Sequence, residues 1–196
     1  MDRAISALVV MGVAGCGKSC VGAAIADLSE GRLVEGDAFH PPANIAKMSA
    51  GAPLTDEDRA GWLVRLGEEL VACLGAGERP VLTCSALKKR YRDTLRHAVP
   101  GLGFVYLELT PEIAAARVAN RPGHFMPASL IKSQFDALEP PDREAATLTL
   151  DATLPLALLA ERASQWWRAS VTAGGANSAQ PEGGEAYRSL RDASGG

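Results

Sequence analysis

Residues 7–19 read ALVVMGVAGCGKS, and this stretch decides the fold. ALVVM (7–11) is a short unbroken apolar run, the pattern of a strand buried on both faces. Gly12, Val13, Ala14, Gly15, Cys16, Gly17, Lys18 and Ser19 then fit the spacing G-x-x-x-x-G-K-[ST]. Glycines at these positions let successive backbone N–H groups point into one concavity, and a helix opening at Gly17 adds its positive end. Such a cradle suits a nucleotide's phosphates. Lys18 can neutralise the β- and γ-phosphates, and the Ser19 hydroxyl can ligate Mg²⁺. Cys16 contributes through its backbone, and Cys20, the next residue of the helix, belongs to the same nucleotide-binding stretch.

Outward from this loop the chain alternates strands and helices. A helix is expected over 18–29, with Val21, Ala24, Ile25 and Leu28 on one face. Residues 33–37, LVEGD, read as a second strand ending in acid, stopped by Pro41 and Pro42. A small helix over 43–49 precedes Thr55, a good N-cap with Asp56, Glu57 and Asp58 in the first turn of a helix to about Leu74. PVLTC (80–84) is the third strand, with Ser85 capping a helix to about His97. GFVYLEL (103–109) is the fourth strand, and Pro111 opens a helix to about Asn120. A polar loop, a helix near 127–137, a fifth strand at 147–152 and a last amphipathic helix over 155–169 complete the series. This alternation predicts an α/β fold: one parallel sheet covered by helices on both faces. Residues 1–170 form the expected domain, and 171–196, rich in Gly, Ser and Ala, form an expected disordered tail.

The 196 residues are 47% apolar and 22% charged, which excludes whole-chain disorder. The net charge of −3 argues against a general nucleic-acid or anionic-membrane binder. No apolar run reaches the roughly 18 residues of a membrane span. Residues 4–16 end in VAGC, like a lipoprotein signal, but cleavage there would cut the phosphate loop in half, and Asp2 cancels the single Arg3. A cytoplasmic location is expected. Cys16, Cys20, Cys73 and Cys84 form no CxxC pair and read as reduced thiols.

The cradle leaves three classes open: a small-metabolite kinase, an ATPase or GTPase module, and a non-catalytic nucleotide-binding regulator. No guanine-reading NKxD is present, and PVLTC does not end in the Asp that motor ATPases use for metal and water. Small kinases can place acids on the second strand instead. Glu35 and Asp37, two apart, would share one side of that strand at its carboxyl end, where α/β sheets bind ligands. Asp37 suits the task of orienting an accepting hydroxyl and taking its proton. Glu35 suits Mg²⁺ through water. His40, Arg59, Lys88, Lys89, Arg92, Arg117, Arg121 and His124 supply cations, with Lys88 and Arg92 on one helix turn, as for an anionic or polyhydroxylated small substrate.

Four blocks carry a closer likeness: MGVAGCGKS (11–19), EGDAFHPPANIAKMSAGAPLTDEDRAGWL (35–63), CSALKKRYRDTLR (84–96) and RVANRPGHFMPASLIKSQFDALEPP (117–141). In these the chain resembles the bacterial-type, thermoresistant class of gluconokinases over about residues 7–167. The second block is not shared by shikimate or adenylylsulfate kinases. The resemblance implies transfer of the γ-phosphoryl group of ATP to D-gluconate, with Mg²⁺. It also implies a three-layer P-loop kinase fold like that of nucleoside monophosphate kinases, with strand order 2-3-1-4-5, a small lid near 118–128 and a homodimer. Carried onto matching positions, Asp37 contacts the accepting hydroxyl, while His40, Arg59, Ser85, Lys88 and Arg92 lie along the sugar acid. Arg117 lies near the adenine; Arg121 and His124 belong to the lid, with Arg121 reaching the transferred phosphate. Gln134 falls in a shared block without an implied role. Cys16 and Glu35 depart from the family's more usual Ser or Thr and Asp. Kinases of other small hydroxy acids, of shikimate or of adenylylsulfate are the neighbouring readings.

Overall fold

The strands pair in the order β2-β3-β1-β4-β5, all parallel. They are β1 (Ala7–Met11), β2 (Arg32–Glu35), β3 (Pro80–Thr83), β4 (Leu102–Glu108) and β5 (Thr147–Asp151). The computed structural model describes residues 4–120 and 128–175. The helices are α1 (Lys18–Ser29), α2 (Pro42–Ser49), α3 (Asp56–Gly75), α4 (Lys89–Ala98), α5 (Pro111–Ala119), α6 (Ala128–Ala137) and α7 (Leu156–Gly175). The strand order and the alternation are those expected.

Period-two alternation along the buried strands divides the core in two. Leu8 and Val10 of β1 pack with Val21, Ile25, Leu159 and Trp167, so α1 and α7 cover one face. Ala7, Val9 and Met11 pack with Trp62, Leu66, Leu70 and Leu95, so α3 and α4 cover the other. Trp167 is anchored at both ends: its indole N–H donates to the Ile5 carbonyl at 2.9 Å, and Arg79 lies over its ring.

Five expectations are corrected. Leu28 is 53% exposed, because α1 turns Val21, Gly22, Ile25, Ala26 and Ser29 inward instead. Gly22 makes this possible: a Cβ there would stand 2.7 Å from the Thr83 methyl. β2 stops at Glu35, and Asp37 lies in a 3-10 turn over Gly36–Phe39, so Glu35 and Asp37 do not share a strand face. The turn starts where Gly36 is pressed against the Thr83 carbonyl, with no room for a Cβ. Ser85 does not cap α4, which begins at Lys89 after an extended loop. Helix α7 runs to Gly175, past the tail boundary expected at 171, while residues 176–196 lie outside the described residues.

The fifth correction concerns Arg92. Its side chain is fully buried, and all its N–H groups are engaged. Nε and Nη2 bind Glu144, Nη1 binds the carbonyls of Ala86 and Leu87, and Nη2 also binds the Glu139 carbonyl at 3.0 Å. A guanidinium has five donors and no acceptor, so none is left for a substrate. Its task is to hold the loop after β3, where Ala86 takes a left-handed φ of 42° that a non-glycine residue disfavours.

Glu144 also accepts from Arg96 at 2.6 Å. Burial alone would push the Glu144 carboxyl up, but the bonds from Arg92 and Arg96 outweigh it and hold the group below 4.5. A carboxyl depressed in the folded state stabilises above its unfolded value and loses that contribution as pH falls through the folded one. Glu144→Ala should therefore cost roughly 3–5 kcal/mol near neutral pH, since it leaves Arg92 buried and unpaired. Urea midpoints measured from about pH 7 down to about pH 3 should show the gap between variant and parent narrowing with acid.

Candidate active site

The carboxyl ends of β1, β2 and β3 open side by side. The loop after β1 has Gly12, Gly15 and Gly17 at positive φ and leads straight into α1 at Lys18. Gly12 N–H donates to the Ser85 carbonyl at 3.3 Å, which fastens the loop to the segment after β3. Lys18 Nζ donates to the Val13 carbonyl at 3.1 Å. Arg117 spans from the loop to the far side of the sheet, with Nη1 on the Gly15 carbonyl and Nη2 on the Ala152 carbonyl after β5. Cys16 is buried, and Cys20 is exposed on α1.

Ser19 and Glu35, named as a metal pair from spacing, meet: the hydroxyl donates to Glu35 Oε2 at 3.1 Å. The same oxygen accepts from Thr83 Oγ1 at 2.5 Å, a contact the sequence reading did not anticipate. Thr83 is paired with Glu35 across the β2–β3 register, and that pairing is tertiary information. Two oxygens of this kind fit a hard divalent cation that keeps most of its shell as water and phosphate. No group of three or more His, Cys, Asp or Glu gathers for a metal among the described residues.

Asp37 is exposed at the start of the 3-10 turn. It acts electrostatically on His40, and its charge and those of Lys18 and Arg59 all reach the buried Cys84 thiol. Three of the predicted site charges thus lie within electrostatic reach of the residue that follows β3. The Cys84 thiol itself is pushed up to about 12 by burial, so it stays protonated.

His40 is 9% exposed and stacks on Trp62 with ring centroids 4.1 Å apart. The Trp62 indole N–H donates to the Gly36 carbonyl at 2.8 Å, which ties the 3-10 turn to α3. Asn44 sits against His40 Nδ1 at 3.4 Å and donates to the Asp58 carbonyl. Thr55 and Asp58 form a reciprocal capping box at the start of α3, and Lys47 binds the same Asp58 carboxylate. The Lys47 bond, then the Thr55 N–H, hold Asp58 down to about 2. Much of the 35–63 block therefore builds the frame on which Asp37 and His40 stand.

A cleft of about 180 Å³ lies between the start of α3, the segment before α4 and helix α6. Arg59, Lys88, Asp56, Thr55 and Gln134 are among its lining residues. Asp56 gathers its cations: Lys88 Nζ binds it at 2.9 Å, and Arg90 and the Tyr91 hydroxyl bind it too. Arg59, Lys88 and Arg90 all lie within 6 Å of the Tyr91 ring, Arg90 nearest at 5.6 Å. Arg59 also donates to the Leu54 and Thr55 carbonyls. Ser85 is half-buried and does not line this cleft; its carbonyl is the one that accepts the Gly12 N–H. Arg121 and His124 lie outside the described residues.

Desolvation lowers the His40 pKa below 6.5; Asp37 opposes this and Arg59 adds to it. The unfolded chain then takes up the proton first, so the neutral ring's contribution to stability is complete above 6.5 and falls away in acid. A proton-resolved NMR titration should find His40 neutral at pH 7 with a midpoint below 6.5.

No family model matches the chain. Among known proteins it is 41% identical to the thermosensitive gluconokinase of Escherichia coli K12 over 158 residues, covering 80% of this chain and 84% of that one. It is 49% identical to the gluconokinase of Gluconobacter oxydans 621H over 134 residues, covering 68% and 75%. The crystal structure of a gluconokinase from Sinorhizobium meliloti 1021 superposes with a TM-score of 0.80 at 45% identity, covering 90% of this chain and 99% of that one. With this likeness at 41–49% identity over two thirds or more of its length, the chain belongs to the gluconokinase family of ATP-dependent phosphotransferases.

Proposed function

We propose that this protein transfers the γ-phosphoryl group of ATP to the 6-hydroxyl of D-gluconate, giving 6-phospho-D-gluconate and ADP. The observation that carries the reading is a cleft lined by Arg59 and Lys88 and joined to the phosphate loop through Gln134, which lines the cleft and accepts the Ala14 N–H. A small anion with several hydroxyls suits such a wall, with cations for its carboxylate and Thr55 and Gln134 as hydrogen-bonding partners, and Ser85 is assigned to the same substrate from outside the wall.

Phosphoryl transfer through a loose transition state depends on alignment and charge stabilisation. The loop from Gly12 to Ser19 holds the triphosphate, and Lys18 neutralises the charge gathering on the phosphoryl oxygens. Asp37 orients the 6-hydroxyl and accepts its proton as the new P–O bond forms. His40, kept neutral, is suited to hydrogen bonding with a sugar hydroxyl. Ser19 and Glu35 would hold Mg²⁺, which when bound would supply charge neutralisation to the phosphates. Arg117, bonded to the Gly15 carbonyl of the loop, is assigned to the adenine side of the nucleotide. Arg121, assigned to the transferred phosphate, and His124, assigned to the sugar acid, complete the reading. A homodimer and a cytoplasmic location belong to the same proposal.

Purified protein with MgATP and a panel of acceptors at equal concentration should release ADP fastest with D-gluconate. A faster rate with shikimate, adenylylsulfate or another aldonic acid would reassign the acceptor, and nucleotide binding without turnover on any acceptor would favour a regulator. Lys18→Ala should lose most turnover. Asp37→Asn should lower kcat by about 10²–10⁴ while leaving ATP affinity nearly unchanged. Thr83→Val removes the hydroxyl that orients Glu35, and should raise the Mg²⁺ concentration for half-maximal rate by about tenfold or more.

A further inference from the structure

Gln134 lies on α6, far along the chain from the phosphate loop, yet its Oε1 accepts the Ala14 N–H at 2.7 Å. It also lines the cleft that contains Arg59 and Lys88. Helix α6 packs on α5, with Leu130 and Ile131 buried and Ile131, Phe135 and Leu138 sharing one core cluster. Just past its end, Glu139 N–H donates to the Leu87 carbonyl at 2.9 Å and Glu139 Oε2 accepts the Lys89 N–H at 2.6 Å. Arg92 clips the Glu139 carbonyl and the Ala86 and Leu87 carbonyls together. A continuous mechanical path therefore runs from Ala14 through Gln134 and α6 to the segment that carries Lys88.

From this path we propose that Gln134 is a positioning residue for phosphoryl transfer. It fixes the Ala14 part of the phosphate loop and ties it to the wall of the acceptor cleft, so that nucleotide and acceptor are held in register by one side chain. The acceptor half of this statement rests on the gluconate reading; the nucleotide half does not. A carboxamide suits the place chemically. The Ala14 N–H needs an acceptor, which a glutamate would also provide. A glutamate, however, would bring a negative charge between the loop and the cleft, where the terminal phosphate must sit. Gln134 is half-buried on a packed helix, so the bond to Ala14 orders few free rotors when it forms.

The test compares Gln134→Ala and Gln134→Glu with the parent protein. Its probes are MgADP, a non-hydrolysable MgATP analogue and D-gluconate, read by calorimetry, steady-state kinetics and thermal unfolding. Gln134→Ala should lower kcat/KM for ATP by about threefold to tenfold, the usual range for one such hydrogen bond. Gluconate should tighten analogue binding in the parent and do so no longer in this variant, with unfolding temperatures within a few degrees. Gln134→Glu should keep ADP affinity within about threefold and weaken the triphosphate analogue by about tenfold or more, because only the terminal phosphate meets the new charge. Parent-like kinetics and parent-like synergy in Gln134→Ala would overturn the proposal, as would equal loss of ADP and analogue in Gln134→Glu. If Gln134→Ala does not fold, the ADP-against-analogue ratio in Gln134→Glu still decides. If the parent releases no ADP with gluconate, the gluconate reading fails separately, and the same ratio still tests the place of Gln134 on the loop.

Discussion

Gly12 leaves no space for a side chain. At φ 139° its missing Cβ would stand 2.8 Å from the Leu107 carbonyl oxygen and 2.9 Å from Cys16 Sγ. That closeness lets the chain leave the buried end of β1, fold back over the sheet and enter α1 at Lys18 within a few residues. The positive end of α1 and the loop amides then face the same point above the sheet. The remaining parts of the site are arranged around that point. Ser19 meets Glu35, Lys18 stays close to the loop, and Gly12 is bonded to the segment after β3. A larger residue at position 12 would push the loop off β4 and scatter all of these.

Two acids gather cations at and beneath the site, while Lys18, Arg59 and Arg117 rest on backbone carbonyls. Asp56, at the first turn of α3, draws in Lys88, Arg90 and Tyr91. Glu144 holds Arg92 and Arg96. These two acids do different work. Asp56 is partly exposed at the cleft and keeps mobile side chains gathered at its wall. Glu144 is nearly enclosed and neutralises a guanidinium that has no other charge partner among the described residues. Buried pairing of that second kind does little for stability as a net sum, but losing one partner is costly. It fixes the backbone beneath the cleft, including the left-handed Ala86.

Much of this was legible in local pattern. The strand–loop–helix at 7–29 announced itself by an apolar run, three glycines and a lysine. Thr55 was readable as a cap because a hydroxyl followed by three acids complements a helix start. The acids after β2 were readable as site residues by type. Their geometry was not: a strand register puts residues two apart on one face, but the approach of Gly36 to the Thr83 carbonyl turns the chain into a 3-10 helix before Asp37. Arg92 was legible as a cation near the cleft, and its burial was not, because Glu144 comes 52 residues later. Thr83 carried no signal, since a threonine inside an apolar strand is ordinary until its neighbour across the sheet is known.

The sequence by itself determined the α/β class, the phosphate loop, the helix caps and the family, since each rests on spacings of a few residues or on blocks of contiguous residues. Only the tertiary structure decided which side chains work together: Thr83 with Glu35, Arg92 with Glu144, Gln134 with Ala14. The reason is physical. Local spacing governs backbone dihedrals and the face a residue occupies. The partners of a half-buried polar group are set by which strands and helices the fold places beside it, and those lie tens to more than a hundred residues away along the chain.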